Sequence, residues 1–531
     1  MSTVVQTEGI QMNRVSKGEE LHIGKGLIRI SEWTITVLLT VIALFLTITS
    51  YVYYIDKEDM SQHIDRWGVL LVVSAIAILL VNCLAKWISG RNNPIMANHI
   101  LFFSIFALIM VASAWWIANA RSLAQGDAAS LHQMALSIIR DKDYSMITPK
   151  GSYLSLWPFQ TGLLLYYEGI LRIVPDFNVV PMQILNWAYL GVGLVSGYFL
   201  VRKWFDDERV TACFSVLLLF CWPWYFYVNF AYGEIPSISA MLFVTWMVTL
   251  YLENKRKRYL SFALLALTFG LLLRKNLSIF VVASVLVLIV SMLQGYKKHY
   301  LYAIVGIVTV TIIVNWLPTK IYEFRANSEL GKGVSAYNYI AMGLQETEGI
   351  APGWNNGYHS QVLIDNDYNA EDANEVSKAS IRKSLAAMAE KPRYAFGFFY
   401  GKLVPEWCDP NFSCFYSTQL VYYNRTKSAW NIYDGAWTNT ILQIMNGYQS
   451  LLYTGLLLYC VANLVQLVRR KKGKAGDGKY NLWQQVFTVT IIGGFLFYMF
   501  WEGGSRYTLP YMVCMLPYAA KGIARFCLPT K

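Results

Sequence analysis

The chain has 531 residues, of which 55% are hydrophobic and only 15% are charged, and its mean hydropathy is +0.36. Soluble domains carry about 25% charged residues, so this composition excludes an ordinary soluble enzyme. The formal net charge of +12 does not indicate a nucleic-acid-binding protein, because lysine and arginine concentrate in short loops between long apolar segments.

Apolar segments of about 20 residues recur along the chain, and each is long enough to cross a hydrocarbon core about 30 Å thick. We therefore predict an all-α polytopic membrane protein with about twelve transmembrane helices. Their approximate bounds are 33–54, 67–88, 98–119, 179–201, 209–228, 235–252, 259–273, 277–293, 300–318, 443–467, 484–501 and 507–525. The first segment is long enough to span, so it does not read as a cleavable signal peptide.

Three basic loops predict how the chain is oriented in the membrane. They are ENKRKR (253–258), GYKKH (295–299) and RRKKGKAGDGK (469–479), and short basic loops are retained on the cytoplasmic side. All three share one side only if the apolar segment 158–174 does not cross the membrane. We therefore predict that 158–174 forms a helix at the outer surface or dips part-way into the membrane, and that both termini are cytoplasmic.

Three segments then form the outer face. They are 120–178, which contains QGDAASLHQMALSIIRDKDYS, the turn AYGEIPS (231–237), and the long polar segment 319–440. The predicted regions are the N-terminus with two added transmembrane helices (1–97), a transmembrane core with the first outer loop (98–318), an extracytoplasmic domain (319–440) and C-terminal transmembrane helices (441–531).

The extracytoplasmic domain is predicted to be small and mainly helical. Its stretch EDANEVSKASIRKSLAAMAEKP (371–392) has helical spacing and ends at a proline. Cys408 and Cys414 share the polar loop EWCDPNFSC, and an outer location is compatible with either a disulfide or two free thiols. Most other cysteines lie in apolar segments, where cysteine acts as a small core residue.

A helix headed by a carboxylate follows the third predicted transmembrane helix. Its apolar positions at helical spacing are Leu131, Met134, Ala135 and Ile138. This pattern predicts an amphipathic helix that lies against the outer membrane surface and begins at Asp127. A second outer carboxylate, Glu234, lies where another span emerges. Taken alone, Asp127 is explained as a helix cap and Glu234 as a loop acid before Pro236.

Cations on the same face change that interpretation. Arg274 and Lys275 occupy a short turn between two predicted spans, and Glu502 and Arg506 lie in WEGGSRYTLPY. Basic residues outside run against the topological bias, and they supply the charge and forked donors that a phosphate needs. Phospholipid headgroups are the alternative ligand. Carboxylates beside phosphate-binding cations suit sugar transfer from a lipid phosphate, with a general base for the acceptor hydroxyl and cations for the departing phosphate.

From about residue 98, the chain resembles the GT-C superfamily of membrane glycosyltransferases, and within it bacterial members related to the protein O-mannosyltransferase and aminoarabinose transferase group. The resemblance rests on GDAASLHQMALSIIRDKDYS and GSYLSLWPFQTGLLLYYEGIL in the first outer loop, the turn VRKWFDDERV, the acid Glu234, and EGGSRYTLPYMVCMLP near the C-terminus. The first-loop acid stands alone as GD, without an Asp-Glu pair, and no His-Pro-Pro follows. The resemblance therefore does not extend to a protein acceptor or to mannose as the donor sugar.

The resemblance implies roles for eight residues. Asp127 is the expected base, and Glu234 is the second catalytic acid, which orients the acceptor or sugar or helps to hold a divalent cation. The metal requirement stays open, with Mg²⁺ or Mn²⁺ as candidates. The implied phosphate contacts are Arg274, Lys275 and Arg506, and the implied sugar or acceptor contacts are Trp354, Asn355 and Trp407. Tryptophans at a membrane interface are otherwise typical anchors.

The implied function is transfer of a monosaccharide from a polyprenyl-phosphate donor to a cell-envelope acceptor (a surface glycan, a teichoic acid or a glycolipid) at the outer face of a bacterial plasma membrane. Its partners are the donor, the acceptor and membrane lipids, with no nucleic acid. An undecaprenyl-diphosphate-dependent polysaccharide polymerase or ligase, which relies on arginine-rich outer loops and a histidine, is the first alternative. A lipid or polysaccharide transporter is the second, although transport places ionisable residues within spans or repeats broken helices in two halves.

Overall fold

The computed structural model describes the backbone of residues 2–55, 60–174, 179–293, 297–471 and 482–526, and the side chains within these ranges from residue 28 onward. The described chain is helical apart from one short antiparallel pair of strands, β1 (Tyr53–Ile55) and β2 (Gln62–Ile64), in which Tyr54 pairs with His63.

In chain order the described helices are α1 (Ser2–Val52), α2 (Trp67–Ser89), α3 (Pro94–Ala120), α4 (Asp127–Asp141), α5 (Tyr153–Leu156), α6 (Thr161–Ile173), α7 (Val180–Phe205), α8 (Glu208–Leu219), α9 (Trp222–Phe226), α10 (Glu234–Asn254), α11 (Lys257–Leu273), α12 (Ser278–Met292), α13 (Lys298–Ala326), α14 (Ala336–Gly343), α15 (Tyr358–Asp365), α16 (Ala370–Glu390), α17 (Pro392–Cys408), α18 (Cys414–Gln419), α19 (Lys427–Asp434), α20 (Thr438–Lys471), α21 (Val486–Phe500) and α22 (Ser505–Phe526). Short 3-10 turns occupy Pro158–Gln160, Tyr227–Asn229, Lys275–Leu277 and Leu482–Gln485.

Nine of the described helices are long and apolar enough to cross a membrane. They are the apolar part of α1 (Ile28–Val52), α2, α3, α7, α10, α12 with its preceding turn, α13, α20, and α21 with its preceding turn. Helices α8 and α9, with the turn that follows α9, form a pair bent by 51°, and they make a tenth membrane-spanning segment if the pair is counted as one span. The predicted spans 259–273 and 507–525 form α11 and α22, which do not reach the same length or apolarity. The all-α polytopic fold is confirmed, and the count of about twelve is approximate.

The segment 158–174 contains α6, whose 13 residues make a helix about 20 Å long, too short to cross the membrane. Its buried Glu168 joins α6 to the end of α13, because the carboxylate is 2.6 Å from Arg172 and 2.9 Å from Arg325 and accepts a hydrogen bond from Tyr322 at 2.7 Å. The short helix is therefore fixed at one end of the helix bundle.

The two ends of the bundle differ in charge. We call the end at which α10 begins, with Glu234, the upper end. The basic loop 253–258 lies at the other end of this 21-residue helix, about 31 Å away. His299 lies 3.4 Å from Lys255 at that other end, and α20 extends about 51 Å from Thr438 to Lys471. Residues 295–296 and 472–479 lie outside the described residues. The cytoplasmic side of these loops stays a prediction.

The segment 319–440 covers the upper end. It holds α14 to α19, together with the last turns of α13 and the start of α20. The predicted helix at 371–392 is confirmed as α16, and Pro392 starts α17 in the first-turn position that proline favours. Cys408 and Cys414 are buried free thiols, so the disulfide alternative is not realised, and Cys408 Sγ lies 3.2 Å from Thr49 Oγ1 on α1.

Candidate active site

A cavity of about 630 Å³ lies at the upper end, where α4, the start of α10, the turn between α11 and α12, and the loop between α21 and α22 meet. Five of the eight residues expected from the sequence line it, and these are Asp127, Arg274, Lys275, Asn355 and Arg506. Segments far apart in the chain thus bring a carboxylate, three cations and an amide to one hollow.

Asp127 is the first residue of α4 and not its cap. The cap position is Gly126, whose φ of +55° is a backbone conformation that glycine adopts without strain, and no side-chain capping bond forms. The predicted amphipathic helix is confirmed, but its apolar residues Leu131, Met134, Ala135 and Ile138 are buried within the protein, where α4 packs against α6, and not on the membrane surface. The carboxylate of Asp127 is therefore not engaged in capping and faces the cavity from an exposed position.

Tyr232 connects the carboxylate to the cations. Its hydroxyl donates to Asp127 Oδ2 at 3.3 Å and accepts a hydrogen bond from the Gln160 side chain. The guanidinium carbons of Arg274 and Arg506 lie 4.9 Å and 5.6 Å from the centre of its ring, within cation–π range. Sequence reasoning had selected Glu234 from AYGEIPS and passed over this tyrosine, although the two are separated by a single glycine.

Glu234 lies behind the two guanidinium groups. It is 3% exposed, and its Oε1 lies 3.0 Å from Arg274 Nη2 and 3.5 Å from Arg506 Nε. These contacts are ion pairs without hydrogen-bond alignment, since neither carboxylate oxygen has an aligned donor among the described residues. The shared carboxylate offsets the repulsion between two partly buried cations and holds both at the cavity wall.

Gly233 allows the turn that carries Glu234 to pack closely against Arg274. A Cβ at this position would lie 2.3 Å from the Leu273 carbonyl oxygen and 2.8 Å from Arg274 Cβ. The turn before α10 therefore packs directly on the backbone that carries Arg274, and only glycine fits there.

Lys275 and its neighbours form another part of the wall. Lys275 Nζ donates to the Val314 carbonyl of α13 at 3.3 Å, and Asn276 Nδ2 donates to the Tyr498 hydroxyl at 2.8 Å. Asn315 of α13 also lines the cavity. Only 17% of the most apolar part of α13 is buried within the protein, so this wall is formed by a helix with an outward-facing apolar surface.

Two further titratable residues, Glu502 and His359, line the cavity and were not among the eight site residues expected from the sequence. Glu502 is 7% exposed, accepts from the Tyr507 hydroxyl at 3.4 Å, and burial raises its pKa to about 7. Burial lowers the pKa of His359 to about 4, so its imidazole, tilted against the Tyr339 ring with the ring centres 4.9 Å apart, is neutral at physiological pH. Glu502 was visible in EGGSRY, whereas nothing local in the sequence distinguishes His359.

The structure does not bring the two expected tryptophans to the cavity. Trp354 pairs with Gly503 through a backbone bridge and packs its ring on that glycine, which places the following Asn355 at the cavity. Trp407 is 1% exposed and packs between Phe495 and Tyr511 in the core. The large aromatic residues that do line the cavity include Trp157, Tyr339 and Trp501.

The described side chains around the cavity do not form a typical binding site for a divalent cation. Within the described residues, no group of three or more histidine, cysteine, aspartate or glutamate side chains is arranged to hold a metal ion. Mg²⁺ and related ions require several oxygen ligands, whereas Glu234 is already paired with two guanidinium groups. The residues that surround the cavity fit an anion better than a resident metal.

Residues 167–317 match the family described as dolichyl-phosphate-mannose-protein mannosyltransferase. This segment is less than a third of the chain; it contains Glu234, Arg274 and Lys275 and excludes Asp127 and Arg506. No curated protein and no solved structure matches the chain. The match supports the GT-C superfamily and, with it, a membrane glycosyltransferase that takes its sugar from a polyprenyl-phosphate donor.

Proposed function

We propose that the chain transfers a monosaccharide from a polyprenyl-phosphate donor to a hydroxyl of a cell-envelope acceptor, at the outer face of the plasma membrane and with both termini cytoplasmic. One observation carries the proposal: the exposed carboxylate of Asp127 and the cations Arg274, Lys275 and Arg506 line a single cavity at the upper end of the helices. The acceptor is a surface glycan, a teichoic acid or a glycolipid.

The cations form the donor side. A phosphate that enters beside Lys275 and α13, next to the membrane, meets two guanidinium groups whose forked donors match its oxygens. Glu234 keeps these groups in place, so we propose that it is a positioning residue and does not itself contact the sugar. This differs from the second catalytic acid that the sequence resemblance implies.

Asp127 forms the acceptor side. The acceptor hydroxyl attacks the sugar carbon that carries the phosphate, the bond between that carbon and the phosphate oxygen breaks, and the hydroxyl proton passes to Asp127 as general base. The bonding electrons leave with the phosphate, and Arg274 and Arg506 stabilise the charge that develops there. The Tyr232 hydroxyl holds the carboxylate in position between donor and acceptor.

The sugar lies between these two sides. Asn355 lines this space, where its side-chain oxygen accepts a hydrogen bond from the Gly357 amide at 2.9 Å, and we propose that the same side chain also contacts sugar hydroxyls. Trp157 is the aromatic wall proposed for the sugar ring, because the Trp501 ring is already stacked on Tyr339 and Phe497. Trp354 packs on Gly503 and thereby fixes the position of the neighbouring Asn355. Trp407, buried in the core, supports the helices beneath the cavity.

The test compares cell-envelope glycans by mass spectrometry in a strain that lacks the gene and in the same strain complemented with variants. Wild-type protein restores a sugar decoration and Asp127→Asn does not, because it cannot accept the proton. Asp141→Asn, on the exposed end of the same helix, is the matched control and restores it. A polymerase would instead shorten the glycan chain on deletion and tolerate Asp127→Asn, and that pair of results would contradict the proposal.

A further inference from the structure

A second, smaller cavity of about 270 Å³ lies along α4, beyond Asp127. We call it the α4 groove. Its polar lining comes from Ser130, Gln133 and Ser137 on one face of α4 and from Asp143, Tyr144 and Ser145 in the loop that follows. Gln133, Asp143 and Ser145 are exposed, so the groove opens to the outside of the protein.

The α4 groove begins one turn beyond Asp127, at Ser130, and Asp127 itself lines the main cavity. Ser130 lies one turn after Asp127 on the same helix, and Ser137 lies about 10 Å further along. At the head of the groove, the Tyr153 hydroxyl is close to the Asp127 carboxylate, and its ring packs on Trp157 at 4.8 Å. Tyr153 lines the groove and Trp157 lines the main cavity, so this aromatic pair separates the two spaces next to Asp127.

We propose that the α4 groove binds an uncharged, hydroxyl-rich glycan chain and presents one of its hydroxyls to Asp127. The inference rests on the proposed function and specifies the acceptor of that reaction. The phosphate side of the main cavity is occupied by Arg274, Lys275 and Arg506. An acceptor that displaces the phosphate has to approach the sugar carbon from another side. The α4 groove runs along the helix that begins at Asp127, and a glycan chain in it would have to extend past Tyr153 to reach the carboxylate.

The side chains that line the α4 groove indicate which class of ligand it binds. Serine hydroxyls and the Gln133 amide both donate and accept hydrogen bonds, as sugar hydroxyls do. The rest of the groove is apolar and is lined by Met134, Ile138, Met146, Ile147, Leu154 and Leu164, which suits the C–H faces of sugar rings. A lipid chain would match these residues but would cover Gln133 and Ser137 without giving them hydrogen-bond partners, which costs free energy. The described residues that line the α4 groove include one carboxylate, Asp143, and no lysine or arginine. A phosphodiester polymer such as a teichoic acid would therefore find no cation to bind and one anion to repel it.

The experiment fills the groove without touching the catalytic residues. Ser137→Trp blocks the middle of the α4 groove, Ser137→Thr is the conservative variant, and Asp141→Trp adds the same bulk at an exposed position outside it. The donor is the lipid-phosphate-sugar fraction extracted from membranes of the strain that lacks the gene. The acceptors are the neutral glycan fraction and the phosphodiester polymer fraction of that strain's envelope.

We expect Ser137→Trp to raise the KM for the neutral glycan by about tenfold or more, which corresponds to a loss of about 1.4 kcal/mol in binding. The increase should be confined to the glycan KM and not shared by the donor KM, and an unfolding temperature in detergent equal to that of wild type shows that the variant is folded. Asp141→Trp should behave as wild type, and Ser137→Thr, which keeps the hydroxyl, should raise the glycan KM far less than Ser137→Trp. Unchanged KM for the glycan in Ser137→Trp would overturn the proposal, as would transfer to the phosphodiester polymer in preference to the neutral glycan.

The measurements distinguish an error in the α4-groove proposal from an error in the proposed function. If wild-type protein neither hydrolyses the donor nor transfers its sugar, the proposed function itself is wrong. If wild-type protein transfers the sugar, Asp127→Asn does not, and Ser137→Trp is as active as wild type, only the α4 groove is wrong.

Discussion

The ammonium of Lys402 donates a hydrogen bond to the carbonyl oxygen of Trp501 at 2.6 Å, which joins α17 to the loop between α21 and α22. The same ammonium donates to the Gly343 carbonyl at 2.7 Å, and its side chain is completely buried. Because Glu502 follows Trp501 directly, this lysine holds the segment 319–440 and one wall of the cavity in a single arrangement.

Replacement of this lysine should disrupt the cavity. Lys402→Met leaves two buried carbonyl groups without a donor, and each such group costs about 1–3 kcal/mol. We expect a lower thermal unfolding temperature in detergent and a loss of about tenfold or more in transfer activity. Lys383→Met, on the exposed face of α16, is the control and should change neither quantity. Full activity of Lys402→Met would show that the wall does not depend on this contact.

Loss of the charge on Glu234 should weaken donor binding. Glu234→Gln retains the shape of the side chain but leaves Arg274 and Arg506 without their shared anion, so both guanidinium groups repel each other. We expect the donor KM to rise by about tenfold, with little change in the acceptor KM. Glu253→Gln, at the basic end of the same helix, serves as the matched control. An acceptor KM that rises in place of the donor KM would indicate that Glu234 contacts the acceptor.

Donor binding should depend on pH through Glu502. Since burial raises its pKa to about 7, the side chain is neutral below that pH and ionises as the pH rises. The new negative charge beside Arg506 opposes an incoming phosphate, so the donor KM should increase between about pH 6 and about pH 8. Glu502→Gln removes this increase. The same pH dependence in both proteins would assign it to another group.

Gly233 should not tolerate a side chain. In Gly233→Ala the new Cβ meets the Leu273 carbonyl oxygen at 2.3 Å, and the backbone has to move away from Arg274. We expect transfer activity to be almost abolished while the protein still inserts into the membrane. Gly447→Ala is the control, since a Cβ there meets no atom within 4 Å. Wild-type activity in Gly233→Ala would mean that the turn and Arg274 need not touch.

Much of the fold follows from local sequence patterns. Apolar length located the spans, and the helical spacing of Leu131 to Ile138 located α4. The cations Arg274 and Lys275 were recognisable because they lie where basic residues are normally excluded. These signals are local, and each can be read within about 20 residues.

The parts of the site that were missed depend on contacts between distant segments. The paired role of Glu234 arises only because the turn at 232–234 packs against residues 273–274 and meets Arg506 from the end of the chain. Trp407 illustrates the converse: a tryptophan in a polar loop indicates an interfacial or ligand-binding ring, but packing buries it completely. No periodicity in the sequence reports either arrangement.

The charges around the cavity bear on the choice of carrier lipid. They belong to Arg274, Lys275, Arg506, Asp127 and Glu234. With Glu502 neutral, this set leaves one excess positive charge, and a sugar joined through a single phosphodiester brings one negative charge, so the filled site is electroneutral. A diphosphate carrier would bring a further negative charge that these cations do not balance. The protein would thus distinguish a monophosphate carrier from a diphosphate carrier by the charge of the carrier, independently of its contacts with the sugar.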